Sequence, residues 1–259
     1  MSSLKSLSPN AIKAFQEDGF TKVGHRIFND KDYLELKETV NNILLANGNK
    51  AESTAVGFVH FRNPEILFWV LSDNILDICE DLYGPNIGLL GCTVFYKKAH
   101  TQDKAYWHTD TSRIVRHNLF ENKDNLLNFT LSFTETDISN GCLRYVPGTH
   151  LKHFAHDWQA PVNGLISNPV SIRDEVLDLS SVKHLELSEN EASVHNVNVV
   201  HGSEPNLSNR DRITLSCRFF SASTRCNVEN FIKNDILPRP FLVRGKDVAN
   251  SQLKGLFLK

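Results

Sequence analysis

The sequence predicts a mainly β fold, a sandwich or jelly roll with helices packed on it. Three observations carry that expectation. Strand-like segments crowd the middle of the chain, helical spacing is confined to the first third, and tight-turn signals punctuate the strands. The 259 residues suit one domain, with 1–84 as a mainly helical cap, 85–221 as the jelly-roll core and 222–259 as a C-terminal extension.

Each element has a local reason. Ser8 caps a first helix with Pro9 in its opening turn, and Gly19 stops it after Asp18. Asn29 or Asp30 caps a second, whose Tyr33, Leu36, Val40, Ile43 and Leu44 recur at spacings of three and four and so share one buried face; Asn47-Gly48 ends it. A third helix is expected to run unbroken from after Asn63-Pro64 through Leu67, Val70, Ile75 and Ile78 to Tyr83-Gly84, ahead of Pro85. The pattern then changes to strands. Ile87 to Tyr96 is rich in β-prone residues, and 128–133 and 213–219 alternate strictly. Val194 to Val200 reads as one further strand carrying His195, with His201 at its end. Ser139-Asn140-Gly141, Pro147-Gly148 and Pro205-Asn206 supply turns.

Bulk properties exclude several function classes. With 41% apolar residues the chain builds a real core and is not disordered. A formal net charge of -2 argues against a nucleic-acid partner. No apolar run approaches the ~18 residues that mark a membrane span, and Met1-Ser2-Ser3-Leu4-Lys5 lacks a signal-peptide stretch. The five cysteines are odd in number and form no Cys-x-x-Cys, so they read as reduced, packing thiols of a cytoplasmic protein.

Chemistry concentrates in two segments far apart in sequence. Trp107-His108-Thr109-Asp110 puts an imidazole and a carboxylate two residues apart, on one side of a strand. A third group must arrive from elsewhere, and His201 stands at the end of an apolar run. Two His and one carboxylate with open positions are the ligand set of non-haem Fe(II) oxygenases, and the Arg212 guanidinium suits the far carboxylate of a 2-oxo-diacid. Zinc hydrolases also use His and carboxylate ligands, so a hydrolase stays open at this point. Beyond His201, Arg212, Thr214, Ser216 and Arg218 share one strand face, and Asn128, Thr130 and Ser132 share another. The first stripe begins beside a metal-ligand candidate and reads as the polar lining of a barrel that holds a charged small molecule. His150, His153 and His156 recur every three residues but follow a Pro-Gly turn without a matching carboxylate, and read as a loop. His195 reads as a packed, hydrogen-bonded histidine. Substrate-facing candidates are Arg113, Arg116, His117, His153, Phe154 and Trp158, with Arg144 and Arg225 as anion partners.

Four stretches resemble the phytanoyl-CoA dioxygenase family of Fe(II)/2-oxoglutarate oxygenases. They are Trp107-His108-Thr109-Asp110, the segment from Asn140-Gly141 to Pro147-Gly148-Thr149-His150, His201-Gly202-Ser203 with Asn206, Ser208 and Arg212, and Phe95-Tyr96-Lys97. In the last, Lys98-Ala99 replaces the family's usual proline. The resemblance implies a double-stranded β-helix, the cupin-like jelly roll. It implies that His108, Asp110 and His201 hold Fe(II) and that Arg212 pairs with the distal carboxylate of 2-oxoglutarate, with Ser203 assisting and Asn128, Thr130 and Lys97 as further contacts. O2 is then the second co-substrate, and the reaction is hydroxylation or a related oxidation of a C–H bond in a small molecule or natural product. Because Asp110 is present, hydroxylation is favoured over halogenation. Two rivals remain at this stage: a jelly-roll protein that binds a small acid without turnover, and a metal-dependent hydrolase on the same barrel. Oligomeric state is not legible in the sequence.

Overall fold

Ser8 and Pro9 open the chain's first helix as expected. The computed structural model describes residues 6–47, 53–157, 170–236 and 239–255. Helix α1 spans Pro9–Asp18; the Ser8 hydroxyl accepts from the Ala11 N–H, and Gly19 closes the helix at φ 88°, where a side chain would be strained. Strand β1, Phe20–Arg26, follows directly. Helix α2, Asp30–Ala46, is capped by Asn29, with Asp30 and Asp32 at its positive end. Strand β2 is Thr54–Gly57 and helix α3 is Val59–Arg62. The first third is therefore not purely helical: β1 and β2 both join the large sheet.

The expected single third helix is two, α4 at Ile66–Val70 and α5 at Asp73–Tyr83. Ser72 between them is extended (φ -66°, ψ 152°), and its hydroxyl donates back to Trp69 O. A serine that bonds its own preceding turn competes with the helix it interrupts.

The remaining elements are β3 (Ile87–Lys97), β4 (Ala105–His108), α6 (Ser112–Arg116), β5 (Leu126–Ser132), β6 (Leu143–Tyr145), β7 (Lys183–Leu185), β8 (Glu191–Asn196), β9 (His201–Ser203), β10 (Arg212–Ser221), α7 (Val228–Lys233), β11 (Phe241–Arg244) and β12 (Lys254–Gly255). They form two sheets. The larger runs β1-β8-β5-β10-β3-β11-β12, with β2 also paired to β3; the smaller runs β4-β9-β6-β7. The two make a jelly roll. One face of the large sheet, with Leu89, Cys92, Val94, Phe129, Leu131, Leu215 and Cys217, is fully buried in one cluster with Leu36, Val40, Ile75 and Ile78 of the helices. The opposite face looks towards the small sheet, and the cavity lies between them. All five cysteines are free and buried, which agrees with packing thiols.

Two irregularities set up the cavity. The 194–200 run is not one strand. At Asn196 the side-chain carbonyl accepts from Asn198 N–H and the backbone carbonyl from Val199 N–H, so the chain turns out of β8 and re-enters as β9 in the other sheet. His195 and His201 thus face each other from opposite sheets. The second irregularity is a bulge. Arg218 pairs with Gly91 but Phe219 pairs with Leu89, leaving Leu90 as an extra residue in β3. The bulge shifts the alternation, so that both Leu90 and Gly91 line the cavity while Leu89 stays in the helix-side core.

Candidate active site

The pairing of β4 with β9 places His108 directly opposite His201. Their ring centroids are 4.3 Å apart. Each ring is oriented by a backbone carbonyl: His108 Nδ1 lies 2.7 Å from Tyr106 O and His201 Nδ1 lies 3.0 Å from Val199 O. A carbonyl only accepts, so each Nδ1 carries the proton and each Nε2 offers a lone pair. Asp110, just beyond β4, supplies the carboxylate. Its Oδ1 is 4.0 Å from His108 Nε2 and its Oδ2 is 3.7 Å from His201 Nε2. All three ligand atoms fall within 4.8 Å of one another. An ion with bonds of ~2.0–2.2 Å to each needs spacings of roughly 3–4 Å, so the group fits a metal.

The carboxylate is itself held. Arg218 Nη2 is 2.9 Å from Asp110 Oδ1. Asn128 donates its amide N–H to Asp110 Oδ2, while its own carbonyl accepts from Arg218 Nε at 3.0 Å. His195 Nε2 stands 3.4 Å from Asp110 Oδ2, and its Nδ1 meets the Tyr145 hydroxyl at 3.1 Å. Burial pushes the Asp110 carboxyl up, but Arg218, with His201, His195 and His108 around it, outweighs that and holds it well below the usual carboxylate range.

Burial lowers both facing histidines to about 4, for His108 with help from His201 and for His201 against the opposing pull of Asp110. Both are therefore neutral, the form that binds a metal. An unfolded chain takes up these protons at the ordinary 6.5. The stability they contribute is thus complete above about pH 6.5 and is lost as the pH falls towards 4. Thermal melts of the metal-free protein should show Tm falling through that window, with a shallower fall once both residues are replaced by Asn. A fall of the same depth in the double variant would show that the two imidazoles are not its source.

The other end of the cavity centres on Arg212, on β10. It is buried, and burial lowers it to about 10, so it stays charged at neutral pH. Nη1 donates to Gly141 O, but its buried Nε has no partner among the described residues. Gly141 sits at φ 70°, and an added Cβ would lie 2.2 Å from Glu204 O and 3.0 Å from Lys97 Nζ, so this corner of the Asn140-Gly141 turn admits only glycine. Ser203 Oγ accepts from Lys97 Nζ at 2.8 Å, which leaves the hydroxyl proton free to donate. Lys97 also donates to Glu204 O. Burial, with Arg212 close by, depresses Lys97 to about 6.

The structure thus gathers His108, Asp110, His201, Arg212, Ser203, Asn128 and Thr130 around one cavity of about 610 Å³. Lys97 stands apart: it does not line the cavity and reaches it only through Ser203. Asn128 lines the wall, but its bonds go to Asp110 and Arg218. His195, read from sequence as a packed histidine, is hydrogen-bonded and also lines the cavity. Arg218 was visible on the polar face of β10, but no sequence signal paired it with Asp110. Of the substrate-facing candidates, Arg116, His153 and Phe154 line a neighbouring groove that shares Thr109 and Ser112 with the cavity. Trp158 and the Arg113 side chain lie outside the described residues. Arg144 stacks on Trp107 and pairs with Glu204, away from this cavity. His150 bonds Gln16 O and His156 bonds Thr109, so the three spaced histidines do not act together.

The phytanoyl-CoA dioxygenase family profile matches residues 46–214. The chain belongs to the phytanoyl-CoA dioxygenase family. It is a 2-oxoglutarate-dependent dioxygenase with Fe(II) as its metal, as the sequence resemblance implied. A curated relative, a probable alpha-ketoglutarate-dependent hypophosphite dioxygenase of Stutzerimonas stutzeri, is 25% identical over 213 residues, covering 75% of this chain and 72% of the relative. Solved structures share the family member's fold. The non-heme monooxygenase ThoJ in its apo form superposes with TM-score 0.69 at 20% identity, covering 92% of this chain and 85% of that one. The carbocyclase SnoK from nogalamycin biosynthesis gives 0.69 at 17% identity over 90% and 92%. EctD from S. alaskensis with bound Fe gives 0.69 at 17% over 87% and 81%. Among the described residues, no helix is long and apolar enough to cross a membrane.

Proposed function

We propose that this dioxygenase hydroxylates an unactivated C–H bond of a small molecule. His108, Asp110 and His201 hold Fe(II), and Arg212 with Ser203 holds the distal carboxylate of 2-oxoglutarate. The observation that carries this reading is the pairing, in one cavity, of a three-ligand cluster with a buried guanidinium whose Nε lacks a partner among the described residues. A buried unpaired donor is costly, and a carboxylate is the acceptor that suits it. Thr130 adds a hydroxyl to the same wall.

When bound, the iron supplies the coupling of O2 reduction to decarboxylation of 2-oxoglutarate, so that substrate, O2 and 2-oxoglutarate yield hydroxylated substrate, succinate and CO2. The chain's own residues prepare that step. Tyr106 O and Val199 O fix the two imidazole tautomers. Arg218 and Asn128 fix the Asp110 carboxylate and keep it ionised. The cavity holds far more than 2-oxoglutarate alone, since pockets of roughly 300–1,000 Å³ bury a drug-sized ligand, so co-substrate and substrate fit together.

Purified protein given Fe(II), ascorbate, O2 and 2-oxoglutarate should release succinate, slowly by itself and faster with a true substrate. Absence of succinate across a broad small-molecule panel, with the protein folded and the metal bound, would overturn the proposal.

A further inference from the structure

Two arginines occupy the cavity face of β10: Arg212 faces the co-substrate, and Arg218 supports Asp110 with donors to spare. Arg212 and Arg218 are six residues apart, which on a strand puts their Cα atoms roughly 20 Å apart with side chains on the same face. Arg218 belongs to the end of the cavity that holds Asp110. Its side chain is 28% exposed, against 17% for Asp110. A guanidinium has five N–H donors, and the contacts with Asn128 and Asp110 use two of them.

Charge balance sharpens the point and rests on the Fe(II)/2-oxoglutarate reading. Among the described lining residues, the formally charged ones are Asp110, Arg212 and Arg218; the histidines are neutral. Ferrous iron and two guanidiniums bring four positive charges. Asp110 and dianionic 2-oxoglutarate bring three negative ones. The loaded cavity is left with one net positive charge, which favours an anionic guest over a neutral or cationic one. The wall at this end is apolar. The β3 bulge delivers Leu90, which packs in one apolar cluster with the lining residues Ile114, Leu119, Phe231 and Ile236.

We infer that Arg218 selects the substrate: a small molecule with an apolar body and a single anionic group, a carboxylate, sulfonate or phosphonate monoester, whose anion docks on the Arg218 guanidinium beside the metal cluster. Asp110 takes one side of the fork, and the substrate anion takes the donors that remain. Arg218 is then a specificity-determining residue as well as the support of Asp110.

The test is a binding measurement on full-length protein loaded with Ni(II), which does not turn over, and saturating 2-oxoglutarate. Matched probes are titrated by ligand-observed NMR at fixed ionic strength: hexanoate against hexanamide, and 3-phenylpropionate against 3-phenylpropionamide. The parent protein should bind each acid about tenfold tighter than its amide, or better. Arg218→Gln should bring that ratio to within about twofold of unity, and Arg218→Lys should restore about threefold or more of it. A residue that only steadies Asp110 would weaken Ni(II) binding yet move acid and amide together. Equal binding of acid and amide by the parent, no acid binding up to about 20 mM, or a preference that survives Arg218→Gln would each overturn the inference. The loading step is read first. Failure of Ni(II) and 2-oxoglutarate to bind removes the proposed function and this inference with it, whereas loading without acid preference removes the inference alone.

Discussion

Arg212→Ala should weaken 2-oxoglutarate binding by about a hundredfold or more, while Mn(II) affinity without 2-oxoglutarate stays within about threefold, because truncating one partner of a buried charge pair costs about 2–5 kcal/mol. The asymmetry follows from position. Arg212 is buried at the opposite end of the cavity from Asp110, with one nitrogen on Gly141 O and Nε unpaired. Removing it takes away the charge that offsets a dianion's desolvation and leaves Gly141 O without that donor. Lysine at this position keeps a charge but loses the flat fork, so Arg212→Lys should recover part of the loss and no more. Isothermal titration with Mn(II) and 2-oxoglutarate in turn reads both affinities. Equal 2-oxoglutarate binding by parent and Arg212→Ala would remove Arg212 from the site.

The second large effect is expected at Asp110. Asp110→Asn should lower Ni(II) affinity by about a hundredfold or more and abolish succinate formation, since breaking a buried charge cluster by removing one member costs about 3–5 kcal/mol. Three groups depend on this carboxylate: Arg218 and Asn128 bond it, and His195 lies 3.4 Å away. Asparagine is nearly isosteric and keeps one acceptor oxygen, so the fold should survive and circular dichroism should match the parent. Metal affinity equal to the parent's, in a folded variant, would take Asp110 out of the ligand set.

Much of this was legible in the chain. The caps at Ser8 and Asn29 are local chemistry, satisfied within a few residues, and both helices start where those residues say. The pairing of His108 and Asp110 with a distant His201 was legible because strand alternation and motif order constrain it. What stayed hidden depends on contacts through space. Ser72 looked like an ordinary helical residue, since nothing in apolar spacing shows that its hydroxyl turns back to Trp69 O. Valines recur on both sides of Asn196, so the run reads as one β-prone segment, yet the chain changes sheets there. That crossing brings His195 to Asp110. Arg218 was placed on the correct face, but its meeting with Asp110 depends on how the two sheets are stacked, which no window along the sequence contains. The strands at Phe20–Arg26 and Thr54–Gly57 were missed because short edge segments between strong helices borrow their stability from the sheet they join.

Phe231 and Ile236 come from the stretch after the last long strand, yet they line the cavity together with Leu90. The imidazoles are fixed by the register of β4 and β9 and the carboxylate by Arg218 and Asn128, whereas this part of the wall comes from the tail. Conservative changes at Phe231 or Ile236 would therefore reshape the room offered to a guest molecule without touching a metal ligand. Reactivity and taste are thus carried by separately tunable parts of one polypeptide, and diversification can proceed on the second while the first stands still.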